Sequence, residues 1–300
     1  MSTRRAKRPG MIDVPRGVIN TTRERVYVEG MIERKKKVAD GTIEIRKRLR
    51  KKIMIVTTFE LEQSYQIFIG NHDVFCMDVQ LLKNRENQAI TGIMTKVRWD
   101  KECSLEEPFE KGDDSILIIR FLVTYVKDKY PYVKDITFTD MSTKECENGG
   151  SVNLAGMKVL LDGNTWYEEY CSMSMYEPYR SLYKKMKENL NEYKKEMSFD
   201  VFSGYAKTKN TGMEEEEIRG LYDSSATWQI FFSGMREKMG ISKLCIWLSH
   251  DGWFDLFLNS ILRFNTMSLQ FVLEPSASTD EIRYRIQHTN GGKRTKKRRT

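Results

Sequence analysis

The sequence predicts an α/β fold of the α+β type. It has a mixed, mostly antiparallel sheet around one buried central helix, and aromatic-rich helices toward the C-terminus. Three observations predict it. Four β-patterned runs follow one another through residues 53–100 with short connections, which favours an antiparallel meander. A single run, Ser115 to Lys129, is apolar around most of its helical circumference and so must be buried. Beyond residue 179, large apolar side chains recur at three- and four-residue steps between lysines and glutamates.

The elements follow in order. Residues 1–22 are rich in Pro, Gly and Arg and read as a flexible basic arm. Val26-Tyr27-Val28 and Thr42-Ile43-Glu44-Ile45 are short enough for edge strands. The run Arg46, Lys47, Arg48, Leu49, Arg50, Lys51, Lys52 is the densest basic patch and reads as a phosphate-facing surface. Ile53 to Phe59, Ser64 to Ile69, Phe75 to Leu82 and Ile90 to Trp99 are the four strand runs, the second ending at a Gly70-Asn71 turn and the last carrying Gly92 as a candidate bulge. After a polar loop, Ser115 can cap the buried helix, in which Ile116, Ile119, Phe121, Leu122, Val123 and Val126 are core positions; Pro131 follows its end.

Ile136 and Phe138 mark a strand, with Asp140 and Ser142 at its exit as either a turn cap or an acid–hydroxyl pair. Val152 to Leu161 is a strand or a short helix. Thr165 or Asn164 caps a helix through Glu168. Further helices are expected over Tyr179 to Lys195, Glu214 to Leu221, Ala226 to Met239 and Trp247 to Phe264, with Trp228, Phe231, Phe232, Trp247, Trp253, Phe254, Phe257 and Phe264 as core. Met267 to Leu273 reads as a last strand. The domain division is then 1–22, a core over 23–186, a helical portion over 187–275 that packs on or completes the core, and a basic flexible tail over 276–300.

Charge is segregated. The net charge is +8, yet residues 1–52 hold 17 Lys/Arg against 6 Asp/Glu, and Lys293 to Thr300 add six more positive charges, so the remainder is acidic. Basic ends of this density attract phosphate backbones without sequence specificity. The candidate nucleic-acid contacts are therefore Arg46, Lys47, Arg48, Arg50, Lys51 and Lys52, with Lys293, Arg294, Lys296, Lys297, Arg298 and Arg299 of the tail. The five cysteines are widely spaced, odd in number and include no C-x-x-C pair, which argues against a disulfide framework and a structural zinc site and favours a reducing compartment. The three histidines share no metal-ligand spacing, so no metal is expected. No apolar run reaches the roughly 20 residues that span a bilayer, and no apolar segment follows the basic N-terminus as a secretory signal would require. An intracellular protein with no membrane partner is the expectation. No nucleophile elbow, P-loop, H-E-x-x-H or EF-hand pattern occurs.

The order of meander, turn with Gly112, buried helix, strand, and a helix opening Thr165-Trp166-Tyr167-Glu168 resembles the GCN5-related N-acetyltransferase fold over roughly residues 60–185. The resemblance implies a pyrophosphate of acetyl-CoA at the turn, held by Gly112, Asp113, Asp114 and Ser115, and Tyr167 as the general acid toward the departing thiolate. The family turn is R/Q-x-x-G-x-G/A, whereas Glu110-Lys111-Gly112-Asp113-Asp114-Ser115 has one glycine and two acids. Two carboxylates beside a diphosphate cost on the order of 1 kcal/mol each even when solvated, and acids are themselves favoured at a helix N-terminus. Asp140-Met141-Ser142, the run Leu161 to Glu168 and the tail Gly291 to Thr300 also resemble uncharacterised proteins of large nucleocytoplasmic DNA viruses. Together these imply a degenerate, non-catalytic acetyltransferase-like core with no cofactor, binding nucleic acid or virion components through basic arms in host cytoplasm, nucleus or virion. An active acetyl-CoA-dependent N-acyltransferase and a minor capsid protein are the alternatives.

Overall fold

The computed structural model describes residues 14–37, 43–97, 100–140, 142–192, 197–263, 270–275 and 282–287. The chain divides into two compact units, residues 1–136 with 274–300 and residues 137–273. The division falls at the Ile136–Thr137 and Leu273–Glu274 junctions, and the boundary expected near residue 186 lies inside the second unit.

The first unit is built on antiparallel strands β1 (Asn20–Lys37), β2 (Ile43–Glu60), β3 (Ser64–Gly70), β4 (Phe75–Lys83) and β5 (Ala89–Val97), each paired with the next. The two short edge strands expected before residue 46 are instead one hairpin of two 18-residue strands. Its alternation explains why. Val26, Val28 and Ile32 of β1 and Met54 and Val56 of β2 are buried, and all are even-numbered, so they share one face of the pleat. Helix α1 (Asp113–Lys129) follows, with Ile116, Leu117, Ile119, Phe121, Leu122 and Val126 wholly buried. Its N-cap is Gly112, at φ +95° in a conformation that only glycine adopts readily, and not Ser115.

Strand β6 (Asp135–Thr139) straddles the division. The second unit continues with the β7 (Thr143–Glu145) and β8 (Ser151–Asn153) hairpin, then α2 (Leu154–Asp162), α3 (Trp166–Cys171), β9 (Ser174–Met175), α4 (Glu177–Glu192), α5 (Phe199–Ala206), α6 (Glu215–Ser224), α7 (Trp228–Ser249), α8 (Trp253–Ser260) and β10 (Gln270–Leu273). Val152 to Leu161 thus divides between the end of a strand and a helix capped by Asn153, whose side chain accepts from the Gly156 amide at 2.6 Å. The helix expected over 226–239 is present from Trp228 to Met239; α7 breaks at Gly240, φ +77°, and a second helical piece runs on to Ser249, beginning earlier than the expected Trp247. The expected aromatic core is buried at Trp228, Phe231, Phe232, Trp247, Trp253, Phe254 and Phe257, and Phe264 lies outside the described residues. Phe202 packs on Tyr222, Trp228 and Phe231 at centroid separations of 5.2–5.3 Å, and Trp247 packs on Trp253 at 4.9 Å. The indole N–H groups of Trp247 and Trp253 donate to the carbonyls of Ala206 and Trp247, so these amphipathic rings are buried without stranding their donors.

The chain returns to the first unit as β11 (Ile282–Gln287), paired with Arg25–Gly30 of β1. This corrects the reading of 276–300 as a flexible tail throughout. Tyr284 of this strand packs on Phe121 and Tyr125 of α1. Likewise β1 begins at Asn20, inside the stretch expected to be flexible. Residues 1–13 and 288–300, with the tail cations Lys293, Arg294, Lys296, Lys297, Arg298 and Arg299, lie outside the described residues. Among the described residues no helix is long and apolar enough to cross a membrane.

Cysteine spacing misled. Cys76 is disulfide-bonded to Cys103 across 27 residues, and Cys146 to Cys245 across 99; Cys171 is free and buried. The second bond ties the β7–β8 turn to α7, two segments remote in sequence. A crosslink that closes so long a loop restricts the unfolded chain by about 4–5 kcal/mol in the chain-entropy account. The Cys146→Ser/Cys245→Ser variant is expected to lose about 2–5 kcal/mol in denaturant unfolding. An unfolding midpoint equal to that of the unreduced wild type would contradict the pairing.

Candidate functional site

Two places collect the residues singled out by the sequence. In the first unit, the Gly112 turn meets the basic run of β2. Arg48, Arg50 and Lys52 share the even face of β2 with Met54 and Val56, and that face meets the first turn of α1 through Arg50 and Lys52. Asp114, with no exposed surface, receives Arg50 in bidentate geometry: Nε donates to Oδ1 at 2.7 Å and Nη2 to Oδ2 at 2.9 Å. Lys52 Nζ lies 3.3 Å from Oδ2, and the Glu110 amide donates to the same oxygen at 2.6 Å. Lys52 also donates to the Pro108 carbonyl at 3.0 Å. Asp113 lies beside Arg34, 3.3 Å away, and Arg48, 3.9 Å away, and Glu110 beside Arg48 and Arg50 at 3.2 and 3.1 Å. Arg34 was not singled out by sequence reading. Its Nη1 stands 3.1 Å from where a Cβ on Gly112 would be, so the guanidinium lies over the turn.

The end of α1 is thus supplied with its anion by the chain. Two carboxylates sit at the positive end of the helix, and two basic side chains buried to 7% and 3% relative exposure balance the inner one. Arg50 and Lys52 therefore belong to the protein interior. Ser115 is half-buried on the first turn. The remaining cations of the run divide by face: Lys47 pairs with Glu33 at 3.2 Å and Lys51 with Glu29 at 3.3 Å on the odd-numbered side, while Arg46 and Arg48 stand on the even-numbered side.

The second place, in the other unit, surrounds Tyr167. Thr165 caps α3 through a reciprocal capping box with Glu168. Glu168 also accepts from Lys187 at 2.9 Å and from the Tyr183 hydroxyl, so this carboxylate is committed to structure. Tyr167 packs edge-on against Phe138 at 4.4 Å and tilts against Phe271 at 5.8 Å. Burial first, and the neighbouring Asp140 second, push its phenol far above the ordinary range. Efficient general acids have pKa values near the working pH, so this environment disfavours Tyr167 as the acid toward a thiolate and favours it as a packing residue. Asp140 is buried, its carboxyl raised by burial, and it accepts from the Ser142 amide at 2.9 Å as an ordinary turn cap. Gly112 and Tyr167, paired by the acetyltransferase resemblance, belong to different units. Among the described residues no group of three or more His, Cys, Asp or Glu side chains is placed to hold a metal ion.

No protein-family model, curated protein or solved structure matches this chain.

Removal of Asp114 takes the one buried carboxylate from Arg50 and Lys52 and leaves them only the more exposed Glu110 and Glu107, so Asp114→Ala is expected to destabilise the fold by about 3–5 kcal/mol. Asp113→Ala, whose partners Arg34 and Arg48 are largely exposed, is expected to cost about 1 kcal/mol or less. Equal losses in denaturant unfolding would contradict this division. Asp140 gives a pH signature. Its folded-state value lies above the ordinary 3.8, so the folded protein binds that proton more tightly than the unfolded chain does. Its contribution is favourable below the ordinary value and turns unfavourable as pH rises through the folded one. Asp140→Asn, which keeps the acceptor for Ser142, is expected to gain stability relative to wild type at pH 7 and not at pH 3. Thermal unfolding at both values checks the sign.

Proposed function

We propose that this chain is a non-catalytic nucleic-acid-binding protein, akin to the large-DNA-virus proteins it resembles, which holds phosphate backbones with the basic β1–β2 ribbon and its basic termini. One observation carries the reading. Residues 31–37 and 43–52 contain ten Lys/Arg and two Asp/Glu, and they lie on one antiparallel ribbon. Among the described residues, β11 accompanies β1 as far as Gly30, and β3 pairs with β2 from Ile55 onward. A two-stranded ribbon has the dimensions to enter a DNA groove.

The register adds a specific feature. Arg34 stands directly opposite Arg46, with Arg48 two residues further along the same face. Asp113 lies beside Arg34 and Arg48 and Glu110 beside Arg48, and a phosphate backbone on that face would join these carboxylates as a further anion. Arg50 and Lys52 are not part of this surface, because Asp114 holds them inside. The acyltransferase alternative loses support at the same point, since the helix end that would take a pyrophosphate is already occupied by Asp113 and Asp114.

Counterion release gives the test. Each phosphate contact contributes about 0.9 to the slope of log K against log salt on duplex DNA. Arg46→Ala/Arg48→Ala is expected to lower that slope by about 2 and to weaken binding equally across unrelated sequences. An unchanged slope would remove the ribbon from the interface and leave residues 293–300 to be tested by truncation.

A further inference from the structure

The odd-numbered face of the ribbon carries a different pattern. Met31, Leu49 and Ile45 are large apolar side chains exposed to 50%, 47% and 52%. The register sets Met31 directly across from Leu49, with Glu29 opposite Lys51 on one side of that pair and Glu33 opposite Lys47 on the other. Both flanking pairs are closed as ion pairs, at 3.3 and 3.2 Å. The face is therefore an apolar rung between two charged rungs, and in both charged rungs the acid is on β1 and the base on β2.

We infer that this face associates with the same face of a second copy of the chain. The charge order selects the partner and its orientation. When two such ribbons stack face to face about a two-fold axis parallel to the strands, β1 of each lies over β2 of the other at the same height. Glu29 then meets Lys51 of the second copy, Glu33 meets Lys47, and Met31 meets Leu49. A two-fold axis perpendicular to the strands instead sets glutamates over glutamates and lysines over lysines. Only the first arrangement is complementary in both charged rungs while burying the apolar rung, and a two-fold interface must be self-complementary in this way. The patch is small beside the roughly 800 Å² per partner of a stable complex, so the association is weak. It leaves the Arg34–Arg46–Arg48 face of each ribbon pointing outward.

The test is sedimentation equilibrium of the full chain, without nucleic acid, from micromolar to about 1 mM. Wild type is expected to show a concentration-dependent dimer, and Leu49→Glu to weaken it at least tenfold. The charge-reversed variants E29K/E33K and K47E/K51E are each expected to stay monomeric, because every charged rung becomes repulsive. Their equimolar mixture is expected to form heterodimers at least tenfold more tightly than either variant self-associates. Wild type that stays monomeric at about 1 mM, dimerisation unaffected by Leu49→Glu, or a mixture no tighter than its components each overturns the inference. Leu49→Glu keeps the test open if a charge variant fails to fold. The absence of nucleic acid separates its outcome from that of phosphate binding.

Discussion

A carboxylate with no exposed surface needs charge balance and hydrogen bonds inside the protein, or it does not stay ionised. Asp114 has both: a bidentate guanidinium, an ammonium group and a backbone amide. The arrangement fixes several things at once. It anchors the first turn of α1 to the middle of β2, and it sets the register at which the even face of the hairpin lies along that helix. It also makes Arg50 and Lys52 interior residues. Buried pairs of this kind add little net stability over an apolar replacement, but they tolerate few alternative packings, because displacing either partner strands a charge.

The same constraint divides the basic run between structure and surface. Strand geometry sends neighbouring residues to opposite faces, so a continuous run of cations cannot form one continuous patch. Its inner end is spent on Asp114 and the helix. Its outer even-numbered members stand with Arg34 near the ribbon end, and its odd-numbered members alternate with leucine and isoleucine on the far side. The ribbon therefore has two chemically distinct faces, one arginine-rich and one striped, and the proposals for phosphate binding and self-association each rest on one of them.

Much of the fold was legible in the sequence. The apolar circumference of α1, the Thr165 cap and the aromatic spacing of α7 and α8 each follow from local periodicity, and local periodicity is what a sequence displays. The length of β1 and β2 was obscured because lysines and arginines interrupt the apolar alternation. Arg50 and Lys52 share even numbers with Met54 and Val56, but parity alone did not mark them as interior, since odd-numbered Ile55, Thr57 and Phe59 are buried too and even-numbered Arg48 is exposed. Strand β11 was hidden because Ile282-Arg283-Tyr284-Arg285-Ile286 sits within a polar, charged context, and its pairing with β1 joins residues more than 250 positions apart. The disulfide pairs were equally non-local, since spacing along the chain carries no record of which cysteines meet. At the candidate site, the two aspartates after Gly112 correctly raised the question of what fills the helix end. Sequence did not show that the answer was the chain's own basic strand.

The central claim is that the helix end at Gly112 holds the protein's own carboxylates and takes no cofactor diphosphate. Thermal unfolding with and without millimolar acetyl-CoA tests it most directly. A ligand present at a hundred times its dissociation constant stabilises a protein by about 2.7 kcal/mol, which for a chain of this size raises the melting temperature by a few degrees. The account predicts coincident transitions. A reproducible rise of that size with acetyl-CoA would contradict it and return the Gly112 turn to the role of a cofactor site.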